Sequence, residues 1–116
     1  MTSTPIRILH IITGLSTGGA ETMLLKLLRG MDRTQFRNSV LSLTGMGQVG
    51  PRLRESGFEV ESLGMRPNPL SVLKFLKLTH KIRNYRPHVV QTWLYHADLI
   101  GCLASQVAGC PPVAWN

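Results

Sequence analysis

Residues 13–21 read Thr-Gly-Leu-Ser-Thr-Gly-Gly-Ala-Glu. Glycine carries no Cβ, so Gly18 and Gly19 let a ligand or another chain segment approach the backbone closely. A helix beginning there offers N–H groups with no partner inside the helix and a partial positive end, and together these form a seat for phosphate. The alternative is a turn whose glycines serve only to reverse and pack the chain. Glu21 falls in the first turn of that helix. There a carboxylate either meets a ligand or stabilises the helix end, an effect of about 0.3–1 kcal/mol. A second group of chemically capable side chains runs Trp93-Leu94-Tyr95-His96. The His96 imidazole could donate a hydrogen bond or move a proton near neutral pH, or else make a local bond with Asp98 or solvent. His10, His80 and His88 are read as structural or exposed. The four histidines lack the spacing of a metal site, so no metal is expected.

Spacing narrows the chemistry of the glycine turn. In a P-loop the glycine five residues after Gly14 is followed by lysine, but Ala20 stands after Gly19. The turn is not G-x-G-x-x-G, and the second apolar strand closes on Leu41-Ser42-Leu43-Thr44 without an acid to hold a ribose hydroxyl. A dinucleotide dehydrogenase domain is therefore disfavoured.

These two clusters need elements to position them. The β-branched run at 6–12 predicts a buried strand. Leu24, Leu27, Leu28 and Met31 then recur at helical spacing over 20–31. Strands are predicted at about 37–43, 58–63, 88–93 and 112–115, and helices at about 51–56, 70–85 and 97–108. Gly57 stops the second helix. Phe58 to Leu63 alternates apolar and acidic side chains, as a half-exposed strand near a sheet edge does. In the third helix Val72, Phe75, Thr79 and Ile82 form one face. Strand and helix alternate throughout, which predicts a doubly wound, mostly parallel five-stranded α/β sheet with helices on both faces. With the strand order 3-2-1-4-5, ligands bind where the order reverses, between strands one and four. That places the loop after strand one beside the loop after strand four, so both clusters line one crevice. The fifth strand has nothing beyond it to cover its edge, and pairing with another copy is expected there.

The bulk properties bound the partners. The chain has 116 residues, 43% hydrophobic and 16% charged, which suits one globular domain with an aliphatic core. No stretch approaches the roughly 20 apolar residues of a membrane span. Cys102 and Cys110 have no metal spacing and read as reduced thiols of a cytoplasmic protein. The net charge of +7 fits a phosphorylated ligand, nucleic acid or an anionic membrane. Lys74, Lys77 and Lys81 share one face of the third helix, which is either solvated or rests on anionic lipid. Nucleic acid is not expected, because the basic residues are scattered and no recognised binding motif accompanies them.

Residues 6–21 (IRILHIITGLSTGGAE), 87–101 (PHVVQTWLYHADLIG) and 111–116 (PPVAWN) together resemble the opening domain of family 4 glycosyltransferases of the B-type fold. The resemblance implies a Rossmann-like domain on the acceptor side of a cleft. In such enzymes a sugar passes, with retention, from a nucleotide-diphosphate donor to an acceptor, and the nucleotide sugar is a co-substrate with no further cofactor. Gly18 and Gly19 match the turn glycines near the donor phosphates, and Glu21 matches the acid of that turn. Gln91 and Trp93 stand where some relatives carry histidines, so the role beside the transferred sugar passes to His96, with Trp93 on the acceptor side or stabilising the loop. Residues 1–116 hold no counterpart of the C-terminal donor-binding domain. The expectation is a truncated N-terminal domain, inactive alone. A noncatalytic module binding a phosphorylated ligand or a protein partner in the same crevice is the alternative.

Overall fold

The computed structural model describes residues 5–15, 18–64, 71–93 and 113–114. Its elements run β1 (Ile6–Ile12), α1 (Gly19–Gly30), β2 (Phe36–Ser42), α2 (Val49–Glu55), β3 (Glu59–Ser62), α3 (Ser71–Tyr85), β4 (Val89–Trp93) and β5 (Val113–Ala114). The strands form one sheet in the order β3-β2-β1-β4-β5, and every neighbouring pair is parallel. This is the expected order, and it reverses at β1. The expected helix at 97–108, His96 and both cysteines lie outside the described residues, as do the ends of the expected fifth strand.

Helices on opposite faces follow from handedness. The β1-α1-β2 and β2-α2-β3 connections step toward one edge and β3-α3-β4 steps back, so right-handed crossovers place α3 opposite α1 and α2. Side chains on β1 alternate accordingly. Ile12 joins Leu24, Leu28, Val40, Val49 and Leu53 under α1 and α2. Leu9 and Ile11 join Leu41, Leu78, Ile82 and Val90 under α3. Burial on both faces explains why β1 reads as an almost unbroken apolar run.

Two helix faces differ from expectation. In α1 the buried leucines are Leu24, Leu25 and Leu28, while Leu27 is 44% exposed. In α3, Leu78 is fully buried beside Thr79 and Ile82, and it is the centre of a face on which the spacing had not placed it.

β3 behaves as an edge strand. Phe58, Val60 and Leu63 point inward, while Glu59 and Glu61 are exposed. The Arg54 guanidinium donates two hydrogen bonds to the Val60 carbonyl, at 2.8 and 3.3 Å. An occupied edge carbonyl with charge beside it makes a poor template for another strand. Gly57 adopts φ +93 just past α2, where residues with a Cβ are strained and glycine stops the helix. Among the described residues, no helix is long and apolar enough to cross a membrane.

Candidate functional site

The crevice is built from loops that leave the carboxyl ends of the strands and tie to one another. β1 ends at Ile12, directly across from Trp93 at the end of β4. Beyond Ile12 the chain is pinned to the loop after β2. The Thr44 amide and hydroxyl both donate to the Thr13 carbonyl, at 3.1 and 2.7 Å, and the Val49 amide donates to the Leu15 carbonyl at 2.8 Å. The loop after β3 joins through Gly64, whose amide donates to the Thr44 carbonyl at 2.7 Å. A Cβ at Gly14 would stand 2.9 Å from the Thr44 hydroxyl oxygen, so this glycine is needed for the close approach of two loops. The Thr13 hydroxyl is buried without a hydrogen-bond partner among the described residues.

At the start of α1, Gly18 is the extended residue before the helix, and it has no side chain with which to cap it. The first helical bond runs from the Thr22 amide to the Gly18 carbonyl at 3.0 Å. The amides of residues 19–21 thus precede the helical ladder. The two glycines differ in what their bareness serves. A Cβ on Gly18 would lie 2.5 Å from a Glu21 carboxylate oxygen, so its empty space is occupied by Glu21 folded back over the helix start. Among the described residues, nothing lies within 4 Å of a Cβ built on Gly19. Glu21 is buried and its charge sits at the positive end of α1, a stabilising arrangement.

Trp93 is 5% exposed and packs in the cluster with Ile12, Leu15 and Leu24. Its indole Nε1–H donates to His10 Nδ1 at 3.2 Å. A neutral imidazole that accepts on Nδ1 carries its proton on Nε2, and that N–H donates to Asn38 Oδ1 at 2.8 Å. Burial of the ring holds the His10 pKa down at about 4, against a smaller upward pull from the Asn38 bond. His10 is thus a buried hub joining β2, β1 and β4. Reading β1 as an apolar run hid this role. The available signal was parity: Asn38 and His10 share the face of Val40 and Ile12, and Trp93 pairs with Ile12.

The lysine face of α3 is also resolved. Lys81 pairs with Glu61, and Lys77 and Lys81 line a groove of about 470 Å³ together with Glu59, Glu61, His80 and Tyr85. The groove runs beside the middle of β2 and β3, away from the glycine turn. One member of the basic cluster therefore neutralises one acid of the edge strand, while Arg37 of β2 pairs with the other, Glu59. Leu73 and Leu76, on the same helix, are 63% and 57% exposed.

Comparison with known proteins agrees with this architecture. No protein-family model matches the chain. Over 96% of its length the chain is 33% identical to the "Putative glycosyltransferase EpsF" of Bacillus subtilis (strain 168), and it spans 29% of that protein. Among solved structures, HepE of Anabaena in complex with UDP shares the fold with a TM-score of 0.74 at 20% identity, covering 95% of this chain and 29% of HepE. The same protein has been solved with UDP and glucose. MurG of Acinetobacter baumannii matches with a TM-score of 0.69 at 18% identity, over 96% of this chain and 34% of MurG. The chain thus spans about a third or less of the length of the proteins it resembles. In fold the chain is a Rossmann-like α/β unit like that of HepE and MurG, and in sequence it is similar to a stretch of a putative glycosyltransferase.

Proposed function

We propose that the chain forms one wall of a sugar-transfer cleft, in which a nucleotide-diphosphate sugar gives its sugar to an acceptor with retention. The observation that carries this is the start of α1. Its N-cap is a glycine, which has no side chain to satisfy the first amides, nothing among the described residues lies within 4 Å of a Cβ built on Gly19, and both lie at the reversal point of the sheet. The complexes of HepE with UDP, alone and with glucose, support a nucleotide sugar as the ligand class. In this reading the α1 amides and the positive helix end face the diphosphate beside Gly19. Glu21 shapes the turn from behind. Trp93 stabilises the wall, and His96, which lies outside the described residues, serves as hydrogen-bond or proton partner near the transferred sugar. The diphosphate charge is met by backbone donors and by a facing domain, with no metal ion assigned.

A single wall cannot position two substrates, and positioning supplies much of such catalysis. No turnover is expected from the chain alone with a panel of nucleotide sugars, and transfer is expected when a C-terminal domain is supplied. Appreciable turnover by the lone chain would overturn the half-cleft assignment. Gly19→Ala sharpens the test, because the position is helical and no described residue lies within 4 Å of the added Cβ. Alanine there should raise stability by up to about 1 kcal/mol and, in the supplemented assay, lower kcat/KM about tenfold by crowding the diphosphate. If Gly19 serves only the turn, the stability gain appears with kcat/KM unchanged.

A second reading, contact with an anionic membrane, is favoured by Leu73 and Leu76 standing exposed on the same helix as Lys74, Lys77 and Lys81. Salt-sensitive binding to anionic vesicles is expected, and it should be lost when the three lysines become glutamate. Unchanged binding in that triple variant counts against the contact.

A further inference from the structure

We propose that His10 is a positioning residue, which holds the end of β4 against the glycine turn by receiving the Trp93 indole proton on Nδ1 while Asn38 orients its ring through Nε2. Three central strands contribute one residue each: Asn38 from β2, His10 from β1 and Trp93 from β4. All three are less than a tenth exposed, and the two bonds measure 2.8 and 3.2 Å. The rings of His10 and Trp93 are 6.3 Å apart and tilted by 39°, so the indole is held by its N–H rather than by stacking. A buried indole N–H without a partner is costly, so the bond selects one placement of a large ring.

The placement matters because of what shares it. Trp93 belongs to the cluster that contains Ile12, Leu15 and Leu24. Leu15 sits in the glycine turn itself and is 1% exposed, and its carbonyl receives the Val49 amide. Moving the indole therefore disturbs the packing under the turn, although His10 itself is only 2% exposed. The histidine couples the loop after β1 to the end of β4 through the sheet that carries both. Only its consequence for catalysis rests on the transferase reading; the coupling itself does not.

Two isosteres separate positioning from mere filling of space. Asparagine at position 10 places its carbonyl oxygen near Nδ1 and can still accept the Trp93 proton, whereas glutamine reaches the Nε2 position and cannot serve Trp93. Hydrogen exchange reads the outcome in the whole chain, through the Thr44 and Val49 amides that attach the turn, each normalised to the Leu41 amide in the central ladder. His10→Asn should exchange within about threefold of the parent. His10→Gln and Trp93→Phe, which keeps the ring and removes the donor, should each accelerate Thr44 and Val49 at least about tenfold relative to Leu41. Should His10→Gln not fold, Trp93→Phe decides on the same readout. Equal exchange in the Asn and Gln variants, or an unchanged turn in Trp93→Phe, overturns the proposal. In the supplemented transfer assay kcat/KM should follow the same order. If it does not while the exchange pattern holds, the transferase reading fails and the coupling stands.

Discussion

Lowering the pH from 7 to 4 is expected to remove about 3 kcal/mol of folding stability through His10 alone. Its pKa in the folded chain is depressed to about 4 from an ordinary 6.5, because burial removes the water that would stabilise an imidazolium. Between these two values the unfolded chain binds a proton at this site and the folded chain does not. Proton binding then favours unfolding, at up to about 1.4 kcal/mol per pH unit. The contribution is intact above pH 6.5, declines as the pH falls and levels off below about 4. Protonation also places a proton on Nδ1, where the indole N–H of Trp93 now donates, so the bond from β4 is lost with it. Other groups titrate over the same range, and a variant isolates the histidine. Denaturant unfolding of the parent and of His10→Asn at pH 7, 5.5 and 4 should show the parent's advantage shrinking by about 3 kcal/mol. A constant difference across that range would mean that the ring is not held neutral in the folded chain.

Leu25→Ala is expected to cost about 2–4 kcal/mol, while Leu27→Ala costs less than about 1 kcal/mol. The two leucines lie two residues apart on α1, yet Leu25 is 4% exposed and Leu27 is 44% exposed. Leu25 packs with Leu24 and Leu28 against Val40, Leu53 and Val60, where truncation leaves a cavity. Leu27 gives up a side chain already half in water. The comparison is controlled, because residue type, substitution and helix are the same, and differing helix propensity cannot explain the result. Urea midpoints with unchanged slopes would measure it. Similar losses at both positions would place the α1 interface elsewhere.

α1 also shows the limit of periodicity as a guide. Leucine stands at 24, 25, 27 and 28, so the helical repeat is certain while the direction of the buried stripe is not, since two neighbouring stripes satisfy the same spacing. The sheet resolves the choice by presenting Ile12, Val40 and Val60 at one angle to the helix. The lysines of α3 were legible as a cluster in the same way. That one of them faces Glu61 depended on how α3 packs back across β3.

Residue order was sufficient for the alternation of strands and helices and for a parallel sheet, and the observed order is the expected doubly wound 3-2-1-4-5. The alternation follows from apolar runs and turn residues, which act locally, and the helix faces follow from the handedness of crossovers between successive elements. The glycine turn was legible for the same reason. The division of labour inside it was not: Gly18 makes room for Glu21, Gly14 for Thr44, and Gly19 for no described residue. Nor was the conversion of His10 from one polar residue in an apolar strand into the hub of three strands. Each depends on which side chain from a distant segment occupies a space a few ångströms wide. Only the packed sheet, which brings residues 10, 38 and 93 into line, makes that selection.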